Sequence, residues 1–251
     1  MRRPIVFFML VVAASVCEAQ WVQTNGPYGG YVCCFAVSGT NLFTGSGSYG
    51  GGVFLSTNNG TSWTAVNSGL TDSIVLSLTV SGTNLFAGTL LGGVFRSSDN
   101  GANWTEVSSG LPRSYFTSFA VSGMNLFVAA AGGVYVSTNN GTSWTVAGTG
   151  LPPAFYNALA VSGRNLFAAT RSIQGGGERG VFLSTDEGTH WNAVNTGLTD
   201  TSVRALGVSG TNIYAGTRSG VFVSTNNGTS WTAVNSGLTN AEAKLNVGSR
   251  C

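Results

Sequence analysis

Arginines and aromatic side chains are the groups of this 251-residue chain best equipped for chemistry, and they gather in a few short stretches. Tyr49, Arg113, Tyr115, Phe116, Phe155, Tyr156, Arg171, Arg179 and Arg218 stand in segments that differ from one another in an otherwise repetitive sequence. A guanidinium grips a carboxylate through paired N–H donors, and an aromatic ring stacks on a sugar or anchors in a protein pocket, so the set points to recognition. Each has a plainer reading too: packing at the edge of the core for an aromatic, a solvated charge for an arginine. Hydrolysis of glycosides asks for a pair of placed carboxyl groups instead. Acids are scarce: Asp and Glu number nine. Outside the repeated octapeptide described below, those beyond residue 20 are Asp72, Glu106, Glu178, Asp200 and Glu242. Asp72 and Asp200 both follow Gly-Leu-Thr, as a repeated turn residue would, and Glu178 stands in a Gly-rich stretch that holds an acid poorly. No spacing of Cys, His or acids suggests a metal site, and His190, the one histidine, reads as an exposed turn residue. No cofactor is expected.

The frame that must place these groups is a repeat. Residues 56–63 read Ser-Thr-Asn-Asn-Gly-Thr-Ser-Trp, and four further copies occupy 97–104, 137–144, 184–191 and 224–231. Each keeps Ser first, Asn or Asp third, Gly fifth and Trp eighth. The sets are Ser56, Asn58, Gly60 and Trp63; Ser97, Asp99, Gly101 and Trp104; Ser137, Asn139, Gly141 and Trp144; Ser184, Asp186, Gly188 and Trp191; Ser224, Asn226, Gly228 and Trp231. Successive tryptophans lie 41, 40, 47 and 40 positions apart, a period that marks a repeat architecture. Asn59-Gly60, Asn140-Gly141 and Asn227-Gly228 tolerate positive φ, so each copy reads as a tight turn between antiparallel strands. The third-position side chain and the leading Ser can accept turn amides, and the Trp supplies a large apolar surface with an N–H in search of a carbonyl.

Ser-x-Asp-x-Gly-x-x-Trp resembles the Asp-box, or BNR repeat, of sialidases, the Vps10 domain of sortilins and photosystem II assembly factors. The resemblance covers the chain beyond its leader and implies a β-propeller in which the box is structural and lies away from the active face. It brings to mind a sialidase-type hydrolase, which would need an arginine cluster, a Tyr nucleophile assisted by Glu, and an acid. Three of the five copies carry Asn in place of Asp, which keeps the acceptor and drops the charge, and this argues against metal or acid chemistry at the box.

Residues 1–19 combine Arg2 and Arg3, an apolar run over 5–16, and Cys17-Glu18-Ala19, the pattern of a cleaved signal peptide. The run is short for a membrane span, and Val16 is a poor fit to a lipobox before Cys17. Residues 20–251 then form a single repeat domain, exported to the periplasm, the envelope or the medium. Lys and Arg number nine beyond the leader and Asp and Glu eight, so no net field draws in nucleic acid or an anionic membrane. Gly at 37 residues suits an all-β chain rich in turns. Cys33 and Cys34 read as packing residues on opposite faces of a strand.

Between boxes, four strand-like runs recur: for example 74–80, 85–88, 93–97 and 104–107, with a Val-Ser-Gly-x-Asn turn at Val37, Val80, Val121, Val161 and Val208. Four antiparallel strands per repeat of about forty residues is the pattern of a propeller blade. In the inner runs Phe35, Leu78, Phe119, Leu159 and Leu206 share one face and Ala36, Thr79, Ala120, Ala160 and Gly207 the other, so bulky should press on small between neighbours. Residues 21–25 match 63–67, which adds a lone outer strand ahead of five complete blades; 241–249 could begin a sixth. Either five blades close with a spare strand or the chain is an arc of a larger ring.

This strand order puts the Val-Ser-Gly turns and the boxes on one rim. The variable connections 45–52, 90–91, 130–131, 171–179 and 218–219, together with 71–73, 113–116, 153–156 and 199–202, fall on the other. That second rim carries the arginines and aromatics named above, and variable loops on a rigid frame are where sites are built. Arg204 stands inside a strand, where other repeats have Cys33, Leu76, Thr117 and Asn157, as a cation lining a channel would. The expectation is a non-catalytic scaffold binding a protein, peptide or glycan through the variable rim. The alternatives are a sialidase-type glycoside hydrolase and a piece of a larger surface repeat protein, which the near-identity of 53–71 and 221–239 favours.

Overall fold

The structure, a computed structural model, describes residues 26–27, 31–171 and 179–238. Within them the alternation of apolar residues resolves into twenty strands and no helix, arranged as five separate four-stranded antiparallel sheets. Each sheet is one blade. The inner strands are Val32–Ser38, Val75–Ser81, Ser118–Ser122, Phe155–Ser162 and Val203–Ser209. Second strands follow at Asn41–Ser46, Asn84–Thr89, Asn125–Ala130, Asn165–Arg171 and Asn212–Thr217. Third strands run over Gly52–Ser56, Val94–Ser97, Gly133–Ser137, Val181–Ser184 and Gly220–Ser224. The outer strands are two residues long, from Thr64–Ala65 in blade one to Thr232–Ala233 in blade five. The expected lone strand at 21–25, the leader and residues 241–249 lie outside the described residues.

Local chemistry makes each hairpin. In all five boxes the fourth residue sits at left-handed φ: Asn59 at 54°, Asn100 at 57°, Asn140 at 59°, Glu187 at 58° and Asn227 at 56°, each followed by glycine at positive φ. Inside the turn the leading hydroxyl is buried and accepts the glycine amide, as from Gly60 N to Ser56 Oγ at 2.9 Å, while donating to the third residue, Asn58 Oδ1, at 2.9 Å. Asn58 Oδ1 also accepts Ser62 N at 3.0 Å. Asp99 and Asp186 make the same bonds as the three asparagines, so the box needs an acceptor and not a charge.

The last four tryptophans lock neighbouring blades together, and Trp191 Nε1 also donates to Gly188 O of its own hairpin at 3.0 Å. Trp104 Nε1 donates to Val66 O (2.8 Å), Trp144 to Val107 O (2.8 Å), Trp191 to Ala147 O (3.1 Å) and Trp231 to Val194 O (2.7 Å), in each case one blade back. Their backbone amides donate one blade back as well, to Ser68, Ser109, Thr149 and Thr196. Between the sheets lie four apolar clusters, one per joint. The first sets Ala36, Phe43 and Val53 of blade one against Leu78, Ala87, Phe95 and Trp104 of blade two; the third repeats it with Ala120, Phe127 and Val134 against Leu159, Ala168, Phe182 and Trp191. Bulky inner-strand residues do press on small ones, as the alternation requires. Phe43, Phe86, Phe127 and Phe167 are wholly buried in these joints, each contributing roughly 1.5–3 kcal/mol by its removal from water.

Inner strands are also laced side chain to backbone. Ser77 Oγ donates to Phe116 O (2.7 Å), Thr117 Oγ1 to Tyr156 O (2.7 Å) and Asn157 Nδ2 to Val203 O (3.3 Å), each reaching the next blade. Ser77 and Asn157 sit at or beside a β-bulge: the register shifts between Val75 and Ser77 and between Tyr156 and Ala158, as it does between Val32 and Cys34 and between Val203 and Ala205 in blades one and five. Cys33 is buried in the core, as a packing residue would be, and is also disulfide-bonded. Cys34 is free, and burial pushes its thiol up to about 12.

Candidate functional site

Antiparallel pairing carries the links between second and third strands, and the links between blades, to the rim opposite the boxes. There the backbone of several described loops is clamped. Asp72 Oδ1 accepts Ile74 N at 3.0 Å, and its Oδ2 accepts Leu91 N at 3.0 Å and Gly92 N at 2.8 Å. Asp200 repeats the device on Ser202 N, Ser219 N and Ser219 Oγ, all at 2.9 Å. Partial burial pushes both carboxyl groups up, but these donors outweigh it and hold each below its ordinary value. In blade three Ser114 Oγ serves instead, accepting Ala131 N at 2.9 Å.

On this frame the seam between blades three and four carries a stacked cluster. Phe155 opens the inner strand of blade four and pairs in register with Arg171, the last residue of the second strand. The Arg171 guanidinium carbon lies 5.1 Å from the Phe155 ring centroid, within cation–π range. Tyr115 meets the same ring at 5.7 Å and a 42° tilt. Arg171 is exposed and Tyr115 is 39% exposed, so the cluster offers a cation and a ring edge to solvent on a half-buried base. Arg113, exposed, stands two residues before Tyr115. It lines an open groove of about 580 Å³ together with Thr71, Leu91, Glu106, Ser108 and Pro112.

The remaining candidates are dispersed. Tyr49 is 89% exposed on the loop of blade one, and Arg218 is exposed on that of blade five. Arg179 is half-buried, and its carbonyl accepts Asn195 Nδ2 at 3.0 Å. Arg204 is the bulge residue of the innermost strand of blade five, half-buried.

Phe116 and Tyr156 are corrections. Both are fully buried, Phe116 in the joint between blades two and three and Tyr156 in the next one. Tyr156 Oη donates to Pro152 O at 2.6 Å, and burial pushes its phenol up. The position just before the bulge in blades two, four and five points into the joint, and Phe116 holds the aligned position in blade three: Val75, Phe116, Tyr156 and Val203 are each wholly buried. Aligning the position before Leu76, Thr117, Asn157 and Arg204 shows apolar or aromatic residues in every repeat, a signal sufficient to find it.

The opposite rim bears a smaller groove of about 450 Å³, lined by Asn125, Thr138, Arg164, Asp186, Glu187 and Thr189. There His190 Nδ1 lies 2.7 Å from Asp186 Oδ2, so the exposed histidine is tied to its own hairpin. Among the described residues no group of His, Cys, Asp and Glu is placed to hold a metal, and no helix is long and apolar enough to cross a membrane.

No family model and no curated protein matches the chain. Solved structures match in fold. The chain superposes on the extracellular domain of BT4673 from B. thetaiotaomicron with a TM-score of 0.67 at 15% identity, over 81% of this chain and 28% of that one. An ancestral GH74 enzyme gives a TM-score of 0.69 at 20% identity, over 85% and 32%. YCF48 bound to D1 peptide gives 0.60 at 13% identity, over 79% and 66%. The chain thus spans about a third or less of the first two proteins' lengths. The fold is an all-β stack of propeller blades, a frame found in enzymes and in binding proteins alike.

Proposed function

We propose that this is an exported, non-catalytic propeller scaffold whose variable rim binds a protein, peptide or glycan. The observation that carries it is the Arg171–Phe155–Tyr115 stack, a pre-ordered aromatic and cationic surface at a blade seam. Rigid aromatic and arginine side chains lose little freedom on binding and dominate recognition energetics. Asp72 and Asp200, the carboxylates nearest to a catalytic pair in the sequence, are spent on loop amides and held ionised, which suits a clamp and not a proton donor. In this reading the tryptophan hairpins are Asp-boxes, residues 1–19 are a cleaved signal peptide, and 20–251 one domain. The peptide bound by YCF48 and the extracellular placement of the BT4673 domain agree with it.

Peptide and glycan arrays probed with the purified chain test the proposal. A ligand whose retention drops at least tenfold with Tyr115→Ala or Arg171→Ala supports it, that being roughly the weight of a hot-spot residue. Turnover of a fluorogenic sialoside or cello-oligosaccharide, abolished by Asp72→Asn or Glu178→Gln, would show a glycosidase instead.

A further inference from the structure

In blades one, four and five an asparagine that follows the outer strand closes the loop between the second and third strands. Asn67, Asn195 and Asn235 accept a third-strand amide through Oδ1, from Val53 at 2.7 Å, Val181 at 2.7 Å and Val221 at 2.8 Å. The other end of the carboxamide ties down a loop carbonyl: Asn67 Nδ2 donates to Gly51 O at 3.2 Å and Asn195 Nδ2 to Arg179 O at 3.0 Å. A Cβ added at Gly52, Gly180 or Gly220 would strike that carboxamide, so the space is filled. Blade two has Ser108 there. Its hydroxyl accepts Val94 N at 3.0 Å, but it carries no amide to reach Gly92 O, which stands where Gly51 O and Arg179 O stand. In blade three the corresponding Gly148 lies against the Gly188 and Thr189 carbonyls of the next hairpin. Blade two is left open, and the groove of about 580 Å³ forms there.

Two charges enter the same opening. Glu106 holds the outer-strand position that is Ala65, Val146, Ala193 and Ala233 in the other blades, and Arg113 follows Gly-Leu-Pro where Gly-Leu-Thr leads to the clamping Asp72 and Asp200. Both are exposed, and both line the groove with Thr71, Leu91, Ser108 and Pro112. Neither forms an ion pair among the described residues, so carboxylate and guanidinium line one groove without neutralising each other. Leu91, 56% exposed, adds an apolar wall. No aromatic ring lines the groove for a sugar to stack on. A backbone acceptor, one charge of each sign and an apolar wall together complement a peptide.

We propose that the blade-two groove takes an extended peptide segment, with a basic side chain on Glu106, an acidic side chain on Arg113 and a peptide amide donating to the Gly92 carbonyl. Tyr115 stands two residues beyond Arg113, at most about 7 Å along the backbone, so the segment continues onto the Arg171–Phe155–Tyr115 stack. This inference rests on the reading of the variable rim as a binding surface, and adds the ligand class and its order of charges.

Titration of the isotope-labelled full chain with short blocked peptides, followed by NMR, tests it. The probes end in Phe and carry Lys then Glu one to three residues apart, Lys alone, Glu alone, or neither. The Lys-Glu peptides should shift the Gly92 and Gly93 amides and bind about three- to tenfold more tightly than the singly charged ones, the weight of a partly screened ion pair. Glu106→Lys, at an exposed position that spares the fold, should transfer the preference to a peptide with two Glu. Binding that moves Tyr115 and Arg171 signals but is indifferent to Glu106→Lys and Arg113→Glu overturns this inference and leaves the rim reading standing. So does a rim that binds glycans and no peptide. A rim that binds neither removes both.

Discussion

Ser137 Oγ accepts the Gly141 amide at 2.8 Å and donates to Asn139 Oδ1 at 2.9 Å from a buried position. Ser137→Ala leaves a buried amide unpaired, and urea unfolding should report a loss of about 1–3 kcal/mol. Asp186 is held down to about 2, first by the His190 amide, then by the His190 ring and the Ser184 hydroxyl. Its folded value lies below its unfolded one, so its contribution is complete above the ordinary carboxylate range and vanishes as pH falls through about 2. Thermal unfolding from pH 6 to pH 2 should therefore show wild type losing more stability than Asp186→Asn, which keeps the acceptor that Asn58 supplies elsewhere. These box bonds were legible because they close within eight residues of sequence. The tryptophan acceptors one blade back were not, since nothing local in the sequence marks them. Tyr115 and Phe116 look alike as a dipeptide, yet one faces solvent and the other the joint.

Strand boundaries follow the sequence to within a residue or two because alternation, Val-Ser-Gly turns and boxes all mark the same ends. What alternation within a single run hides is the bulge in the inner strand of four blades, an extra residue that shows only when the repeats are aligned. Phe116→Ala, by opening a cavity in a joint, should cost about 3–5 kcal/mol in the same urea assay, whereas Tyr115→Ala should cost little. The loop clamp is equally specific. Asp72→Asn weakens the acceptor for Leu91 N and Gly92 N, and hydrogen exchange at those two amides should quicken while the Ser219 amide, held by Asp200, keeps its rate.

As a whole, the molecule is a row of like blades whose stability is shared through joints, with sequence identity kept where joints and hairpins need it and released on one rim. The division of rims was readable from strand order alone, because antiparallel pairing leaves no other place for the variable loops. Which of their side chains converge was not, since Arg171 and Tyr115 belong to different blades and meet only through Phe155. The most direct measurement of the account is the affinity of an array-identified ligand for two variants side by side: Tyr115→Ala with Arg171→Ala on the variable rim, and Arg164→Ala on the hairpin rim. The account predicts at least a tenfold loss for the first and an unchanged affinity for the second; equal affinity for the first, or loss confined to Arg164→Ala, would contradict it.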